Sequence, residues 1–290
     1  MSILINKSTR VIIQGITGRE ASFHSLDMMH YGTQIVAGVT PGKGGSWVLE
    51  EKVPVFDSMK MAVEATGANT SIVFVPAHQA TDALYEAADS GVELVVCITD
   101  GIPVRDIVQV NAYMKTKGVR LLGPNCPGII NPGEQKVGIY PSECVIPGKI
   151  GVVSRSSTIA YMTMDRMKGA GLGVSSCVGI GGDLICGTTF VDVLEMFEVD
   201  PYTEKILLMG EIGGLEEERA AKFVAYQMSK PVIAYVAYVA GVSIPEGKRT
   251  THPGAFIDGG IGSAREKLEA FKTAGIKATS NWMDLIDLLK

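Results

Sequence analysis

The sequence predicts an α/β protein of two doubly wound parallel sheets, and three observations carry that prediction. Short β-branched apolar runs alternate with helix-length amphipathic segments along the chain, the pattern of repeated strand–helix–strand units. Most apolar runs end in glycine-rich turns, and the chain holds 34 glycines, as tight strand-to-helix turns require. The 290 residues, 46% hydrophobic and 20% charged, suffice for two buried cores. A proline- and glycine-marked stretch over residues 127–148 breaks the alternation. The division is therefore expected near Gly148, with domains over residues 1–148 and 149–290.

The first series opens on the apolar run RVIIQ at residues 10–14. The segment GITGREA follows, with Gly15, Gly18 and Ala21, and leads into a helix over about residues 22–30. A strand, a glycine turn and a helix open a nucleotide-binding unit: the glycines admit backbone to a phosphate, and the helix N-terminus supplies amides and dipole. The spacing is GxxGxxA, not the GxGxxG of the dinucleotide fingerprint. The next strand, QIVAGV, ends without a convincing acidic residue for a ribose diol and runs into Pro41, Gly42, Lys43, Gly44 and Gly45. A lysine in a glycine turn suits a phosphate or pyrophosphate better, which weighs against a nicotinamide-dependent oxidoreductase. Helices are expected at 58–65, 81–90 and 105–117. Strands are expected at 71–76, 92–99 and 119–122, the middle one ending at Asp100 and the last at Gly123, Pro124 and Asn125. Right-handed crossovers place all strand C-termini on one edge, so the loops at Gly15, Gly42, Asp100 and Asn125 converge on one crevice.

The second series begins at Lys149. Strand KIGVVS runs into Arg155, Ser156, Ser157 and Thr158, then a helix over 159–168. Strand GVSSCVGI runs into Gly181, Gly182 and Asp183, then a helix over about 188–198. Strand KILLMG ends at Glu211, and a helix follows over 216–228. Strand PVIAYVAYV leads to a loop, GKRTTHPGAFIDGG, over residues 247–260. A helix at 264–274, a short strand near 276–278 and a final helix at 282–289 close the chain. This domain also reads as doubly wound.

Bulk properties exclude several classes. The net charge is −5 with no basic run, which argues against nucleic acid as the main partner. No apolar stretch reaches the roughly 18 residues of a membrane span. The N-terminal residues show no signal-like pattern, so a cytoplasmic setting is expected. The five cysteines are scattered and form no CxxC pair, which reads as reduced thiols with no metal site.

In this topology the serine run, Asp183, Glu211 and His252 face one crevice. The hydroxyls of Ser156, Ser157 and Thr158 stand at a helix start, where they either cap the helix or, with its free amides, hold an anion. A carboxylate at Glu211 can bond to one imidazole nitrogen of His252 and leave the other free as a nucleophile. A histidine so held beside a helix-end anion site is suited to carry a phosphoryl group.

With these residues assembled, the sequence closely resembles the α subunit of succinyl-CoA synthetase (succinate–CoA ligase). The resemblance covers essentially the whole chain and rests on VTPGKGG, TDGIP, GPNCPG, VSRSST, GIGGD, LEMFEVDP, GEIGG and GKRTTHPGA, in that order. It implies a Rossmann-like CoA-binding domain followed by a flavodoxin-like ligase domain, and an acid–thiol ligase of the tricarboxylic acid cycle. A nucleoside triphosphate, ATP or GTP, bound with magnesium on a β subunit with an ATP-grasp domain, would phosphorylate His252. The phosphoryl group would pass to a dicarboxylic acid, and the CoA thiol would displace phosphate from the acyl phosphate. Glu211 would orient His252, and the helix beginning near Ser157 would help to hold the phosphate. CoA would be held by Thr17, Gly18, Arg19, Glu20, Lys43, Ile98, Thr99 and Asp100. Tyr161, Asn125 and Ser156 would line the acid site, and the partner surface would lie largely on the second domain. The setting would be cytoplasmic, or the mitochondrial matrix in a eukaryote, although no transit peptide is seen.

Several positions depart from the family pattern. SRSGTLTYE is here SRSSTIAYM, with Ser157 for glycine and Met162 for glutamate; MGHAGA is TTHPGA, with Thr251 and Pro253 around the histidine; and GSQG-type turns read GREA. These changes bear on the acid, so a malate–CoA ligase or citryl-CoA synthetase subunit of the same mechanism is the sibling expectation. A non-catalytic CoA-binding module is the alternative from a different class.

Overall fold

A computed structural model of the chain describes residues 3–237, 252–255, 257 and 262–290. Lys248, Arg249, Thr251, Gly259 and Gly260, and the end of the strand expected past Ala237, lie outside the described residues.

The first sheet orders its strands β3-β4-β2-β1-β5-β6-β7. These are β1 (Arg10–Gln14), β2 (Gln34–Val39), β3 (Trp47–Val48), β4 (Val53–Phe56), β5 (Thr70–Val73), β6 (Leu94–Cys97) and β7 (Arg120–Leu122). Helices α1 (Arg19–Tyr31), α2 (Met59–Thr66), α3 (Ala77–Asp89) and α4 (Val104–Lys117) link them. All pairings are parallel except the β3–β4 edge. The central order places β1 between β2 and β5, the doubly wound arrangement whose ligand crevice opens where the winding reverses.

Strands β3 and β4 were not expected from the sequence. Val53 and Val55 are buried while Pro54 and Phe56 are half-buried, so the run alternates, but it is four residues long and holds a proline. Helix α1 also starts three residues earlier than expected, with Gly18 as its cap in extended backbone.

The second sheet orders its strands β14-β13-β12-β10-β11-β8-β9. These are β8 (Gly128–Asn131), β9 (Gln135–Gly138), β10 (Pro147–Ser154), β11 (Val174–Gly179), β12 (Lys205–Glu211), β13 (Val232–Ala237) and β14 (Lys277–Thr279). Helices α5 (Ser157–Gly169), α6 (Phe190–Val199), α7 (Glu216–Gln227), α8 (Ala264–Thr273) and α9 (Leu285–Leu289) complete it. The five parallel strands run in the flavodoxin-like order, with β10 between β11 and β12. The stretch expected as a break is an antiparallel hairpin, β8–β9, that joins this sheet through β11. The glycines that suggested a break let the two strands approach: a Cβ on Gly128 would sit 2.7 Å from Gly138 Cα. By strand pairing the change of sheet falls between Leu122 and Gly128, ahead of the division expected near Gly148. The final segment is a 3-10 turn (Trp282–Asp284) before α9, not one continuous helix.

Period-two alternation sorts the strand side chains into layers. Val11 and Ile13 of β1 and Val153 of β10 join an apolar cluster that spans both sheets. Ile12 of β1 faces α3 and α4 with Leu84, Ile107 and Val110. Val152 and Leu207 face α5 and α9 with Met164 and Leu285. Each such fully buried Val, Leu or Ile is worth roughly 1.5–3 kcal/mol. Buried Lys136 of β9 crosses between the sheets, donating to Asp27 of α1 and at 2.8 Å to Ser142 Oγ. Because one cluster and this ion pair bridge the two sheets, their loop edges are held in a defined relation.

Candidate active site

Strand ends from both sheets supply the site. Strands β10 and β12 are parallel neighbours, with Ser154 opposite Met209. The backbone after β10 therefore meets Glu211 at the end of β12. Glu211 Oε2 lies 2.7 Å from His252 Nδ1. An ionised carboxylate only accepts, so Nδ1 carries the proton and Nε2 of the neutral ring keeps its lone pair. That hydrogen bond, opposed by partial burial, raises the His252 pKa above its ordinary value. Glu211 is buried, and its backbone N–H donates to Glu217 Oε1 at 3.0 Å.

The loop after β11 closes on the other face of the ring. A Cβ on Gly182 would sit 2.7 Å from His252 Cγ, so only glycine lets this backbone lie flat against the imidazole. Gly254 N–H donates to Gly182 O at 3.0 Å, which fastens the histidine turn to this loop. Asp183 is buried, and burial raises its carboxyl pKa.

Asn125 connects the two sheets at this point. Its backbone N–H donates to Thr99 O at 3.0 Å, its carbonyl accepts from Gly182 N–H at 3.1 Å, and its side chain donates to Asp183 Oδ1 at 3.0 Å. Its φ of 54° is left-handed, a conformation asparagine tolerates better than most residues. The strand ends of the first domain thus run directly into the histidine's surroundings.

Ser156 caps α5. Ser156 Oγ accepts from Ile159 N–H at 3.4 Å at the start of α5, and Ser154 Oγ accepts from Ser156 N–H at 3.1 Å. Ser157 is half-buried and Thr158 exposed on the first turn of α5. Tyr161 is half-buried and packs against the apolar cluster beneath α5.

In the first domain, Lys43 Nζ donates to Thr17 Oγ1 at 3.3 Å, bringing together the turns after β1 and β2. Arg19 and Glu20 pair at 3.0 Å on the exposed first turn of α1. Ile98 and Thr99 are half-buried after β6, Asp100 is exposed, and Thr99 Oγ1 donates to Val75 O at 2.6 Å. These groups line one edge where glycine backbone and two exposed cations meet a helix N-terminus, a fit for a phosphorylated substrate.

Sequence reasoning gave no role to Arg155, Glu217 or Lys267, which are all buried. Arg155 stands inside the serine motif, and only its burial separates it from a solvated turn cation. Glu217 and Lys267 sit on helices with no motif to mark them.

Comparison with known proteins follows this geometry. The family model described as a CoA binding domain matches residues 6–101, and that described as CoA-ligase matches residues 153–276. The chain is 54% identical, over 97% of its length and 91% of the relative's, to the α subunit of an ADP-forming succinate–CoA ligase from Aquifex aeolicus. It is 50% identical, over 100% of its length and 99% of the relative's, to the α subunit 2 of such a ligase from Archaeoglobus fulgidus. Among solved structures, an ATP citrate lyase from Methanothrix soehngenii in complex with citrate and coenzyme A superposes with a TM-score of 0.89 at 21% identity, over 99% of this chain and 50% of that one. A dinucleotide-forming acetyl-coenzyme A synthetase from Ca. Korarchaeum cryptofilum gives a TM-score of 0.76 at 20% identity, over 97% of this chain and 60% of that one. Both structural likenesses speak to the fold alone.

Proposed function

The chain belongs to the family of succinate–CoA ligase α subunits, and on that premise we propose that it forms succinyl-CoA reversibly, together with a β subunit, through phosphorylated His252. One observation carries the reading: the 2.7 Å pair of Glu211 and His252. It leaves Nε2 as the nucleophile and places a carboxylate where the ring gains positive charge on phosphorylation.

The steps follow from the chain's own groups. Nε2 would attack the γ-phosphorus of a nucleoside triphosphate, which a partner ATP-grasp domain would hold with magnesium, and the nucleoside diphosphate would leave. A carboxylate oxygen of the acid then attacks that phosphorus, giving an acyl phosphate and freeing the imidazole. The CoA thiolate attacks the acyl carbon, and phosphate leaves. Thr17, Gly18, Arg19, Glu20, Lys43, Ile98, Thr99 and Asp100 would hold CoA, with the cations Arg19 and Lys43 available to its phosphates. Asn125, Ser156 and Tyr161 would border the acid, and the N-terminus of α5 at Ser157 and Thr158 would face the phosphoryl group. No described helix is long and apolar enough to cross a membrane, in keeping with a cytoplasmic enzyme.

The test is the chain co-purified with the β subunit of the same genome. Nucleotide and magnesium should label His252, and CoA-dependent turnover should favour succinate over malate and citrate. His252→Ala should abolish both label and turnover. Turnover surviving in His252→Ala would refute the mechanism; preference for malate or citrate would keep it and reassign the acid pocket.

A further inference from the structure

Beneath the histidine pair lies a buried charged array that none of these steps uses. Arg155 follows β10, and its guanidinium reaches the end of β12, the start of α7, the loop after β11 and the turn at Gly254. Nε lies 3.5 Å from Glu211 Oε1, Nη1 lies 3.8 Å from Glu217 Oε1, and Nη2 donates to Asp183 O at 3.4 Å. A Cβ on Gly254 would sit 2.1 Å from Nη2, so the histidine turn rests directly on the guanidinium. Glu217, at the start of α7, is anchored in turn: its Oε2 accepts from Lys267 Nζ of α8 at 2.6 Å, and both side chains are 0% exposed. Lys267 also donates to Gly214 O and to Glu218 Oε2, each at 3.0 Å. Charge therefore alternates from Glu211 through Arg155 and Glu217 to Lys267, and the array ties β10 and β12 to α7 and α8.

Buried ion arrays are costly to desolvate and stabilise little beyond well-packed apolar residues. What this one does is hold geometry. A carboxylate with a free second oxygen can turn about its last bond; with Oε1 of Glu211 facing Arg155, Oε2 is left aimed at Nδ1. The planar fork also braces Asp183 O and Gly254, which an ammonium cannot do together. We propose that Arg155 is the positioning residue of the Glu211–His252 pair, and that Glu217 and Lys267 anchor its guanidinium. The proposal rests on the reading of His252 as the phosphorylated nucleophile.

Among the described residues, charged groups facing the imidazole include Glu211 from β12, Asp183 from the loop after β11 and Arg155 from the end of β10. The two carboxylates favour the imidazolium and Arg155 opposes it. Losing Arg155 leaves the ring between two carboxylates, so its titration moves to higher pH. Loosening the Glu211 hydrogen bond acts the other way, so positioning is read from the Nδ1–H tautomer of the neutral ring, which its 13C shifts report and which a purely structural role would leave unchanged.

The experiment uses the complex with the β subunit, with only this chain carrying 13C-labelled histidine. The signal is assigned by its loss in His252→Ala. Two readouts are taken: the tautomer of the neutral His252 ring by NMR, and the single-turnover rate of His252 phosphorylation. Arg155→Met should shift the neutral ring away from the Nδ1–H tautomer and slow phosphorylation about tenfold or more, the loss of roughly 1.4 kcal/mol of orientation. Arg155→Lys should keep the tautomer of the unmodified chain and slow phosphorylation about threefold, because the charge remains without the fork. An unchanged tautomer and a rate within about twofold in a folded Arg155→Met complex would overturn the proposal. If Arg155→Met fails to fold, Arg155→Lys decides: the slowed rate supports the proposal and an unchanged rate overturns it. The NMR readout needs no phosphoryl transfer. A complex that never labels His252 would sink the phosphohistidine reading, while the neutral-ring tautomer in the two variants still decides the role of Arg155.

Discussion

Replacing Glu211 with glutamine asks what the charge of that side chain does, because the amide keeps an acceptor near the same place. Glu211 Oε2 stands 2.7 Å from His252 Nδ1. Hydrogen bonds to charged groups contribute about 1.5–3 kcal/mol and neutral ones about 0.5–1.5, so the charge accounts for about 1–1.5 kcal/mol. The His252 side chain is 23% exposed, so solvent screening takes that estimate toward its lower end. The His252 midpoint should therefore fall, the Glu211 hydrogen bond being the largest cause that raises it. The sign is fixed by the direction of the shift. Glu211 raises the His252 pKa above 6.5, and the nucleophile is the neutral ring, so phosphorylation in the unmodified complex rises with an acid limb above pH 6.5. In Glu211→Gln that limb moves to lower pH. Well above both midpoints the ring is neutral in either protein, yet the variant should still be about tenfold slower, since the missing carboxylate no longer balances charge developing on the ring. The assay is rapid-quench phosphorylation of the complex from pH 5.5 to 8.5. An unshifted acid limb together with a plateau rate within about twofold, the spread expected of a neutral change, would refute the reasoning. Stability follows the same linkage. The imidazolium–carboxylate attraction is fully present below pH 6.5 and is lost as pH rises through the raised folded midpoint, so Glu211→Gln should flatten that dependence in urea unfolding.

Three further outcomes are expected. Gly182→Ala should cut His252 phosphorylation about tenfold or more while leaving the unfolding midpoint nearly unchanged, because the added Cβ would press within 2.7 Å of His252 Cγ and push the ring off its line; normal phosphorylation would contradict the close approach. Lys43→Ala should raise the CoA KM about tenfold, the effect of one lost charged phosphate contact, without slowing His252 phosphorylation; an unchanged KM would remove Lys43 from the CoA site. Lys267→Met leaves Glu217 buried without its 2.6 Å partner and should cost about 3–5 kcal/mol in urea unfolding, with the double change Lys267→Met, Glu217→Gln recovering much of it; no loss in the single variant would show that the pair is dispensable.

Much of this protein was legible in one dimension. The alternation of apolar runs with amphipathic segments announced both parallel sheets, because a buried parallel strand needs a continuous apolar run and a crossover helix needs one apolar face. Glu211 and His252 were legible as a pair because topology alone brings the C-terminal ends of parallel strands to one edge. Short or interrupted elements were not. Strand β4 holds a proline, and the β8–β9 hairpin reads as a break because its glycines serve a close strand contact visible only across the pair. The sequence by itself determined which chemistry-bearing residues the chain carries and on which edge they gather. Only the tertiary structure decided that Asn125 fastens one domain's loops to the other's, that Ser156 spends its hydroxyl on a helix cap, and that Arg155, Glu217 and Lys267 meet inside. The reason is physical: strand order follows from local pattern and chirality, whereas the burial of a charge depends on partners from elements 50 or more residues away, as with Lys267 and Glu217, and no local pattern records them.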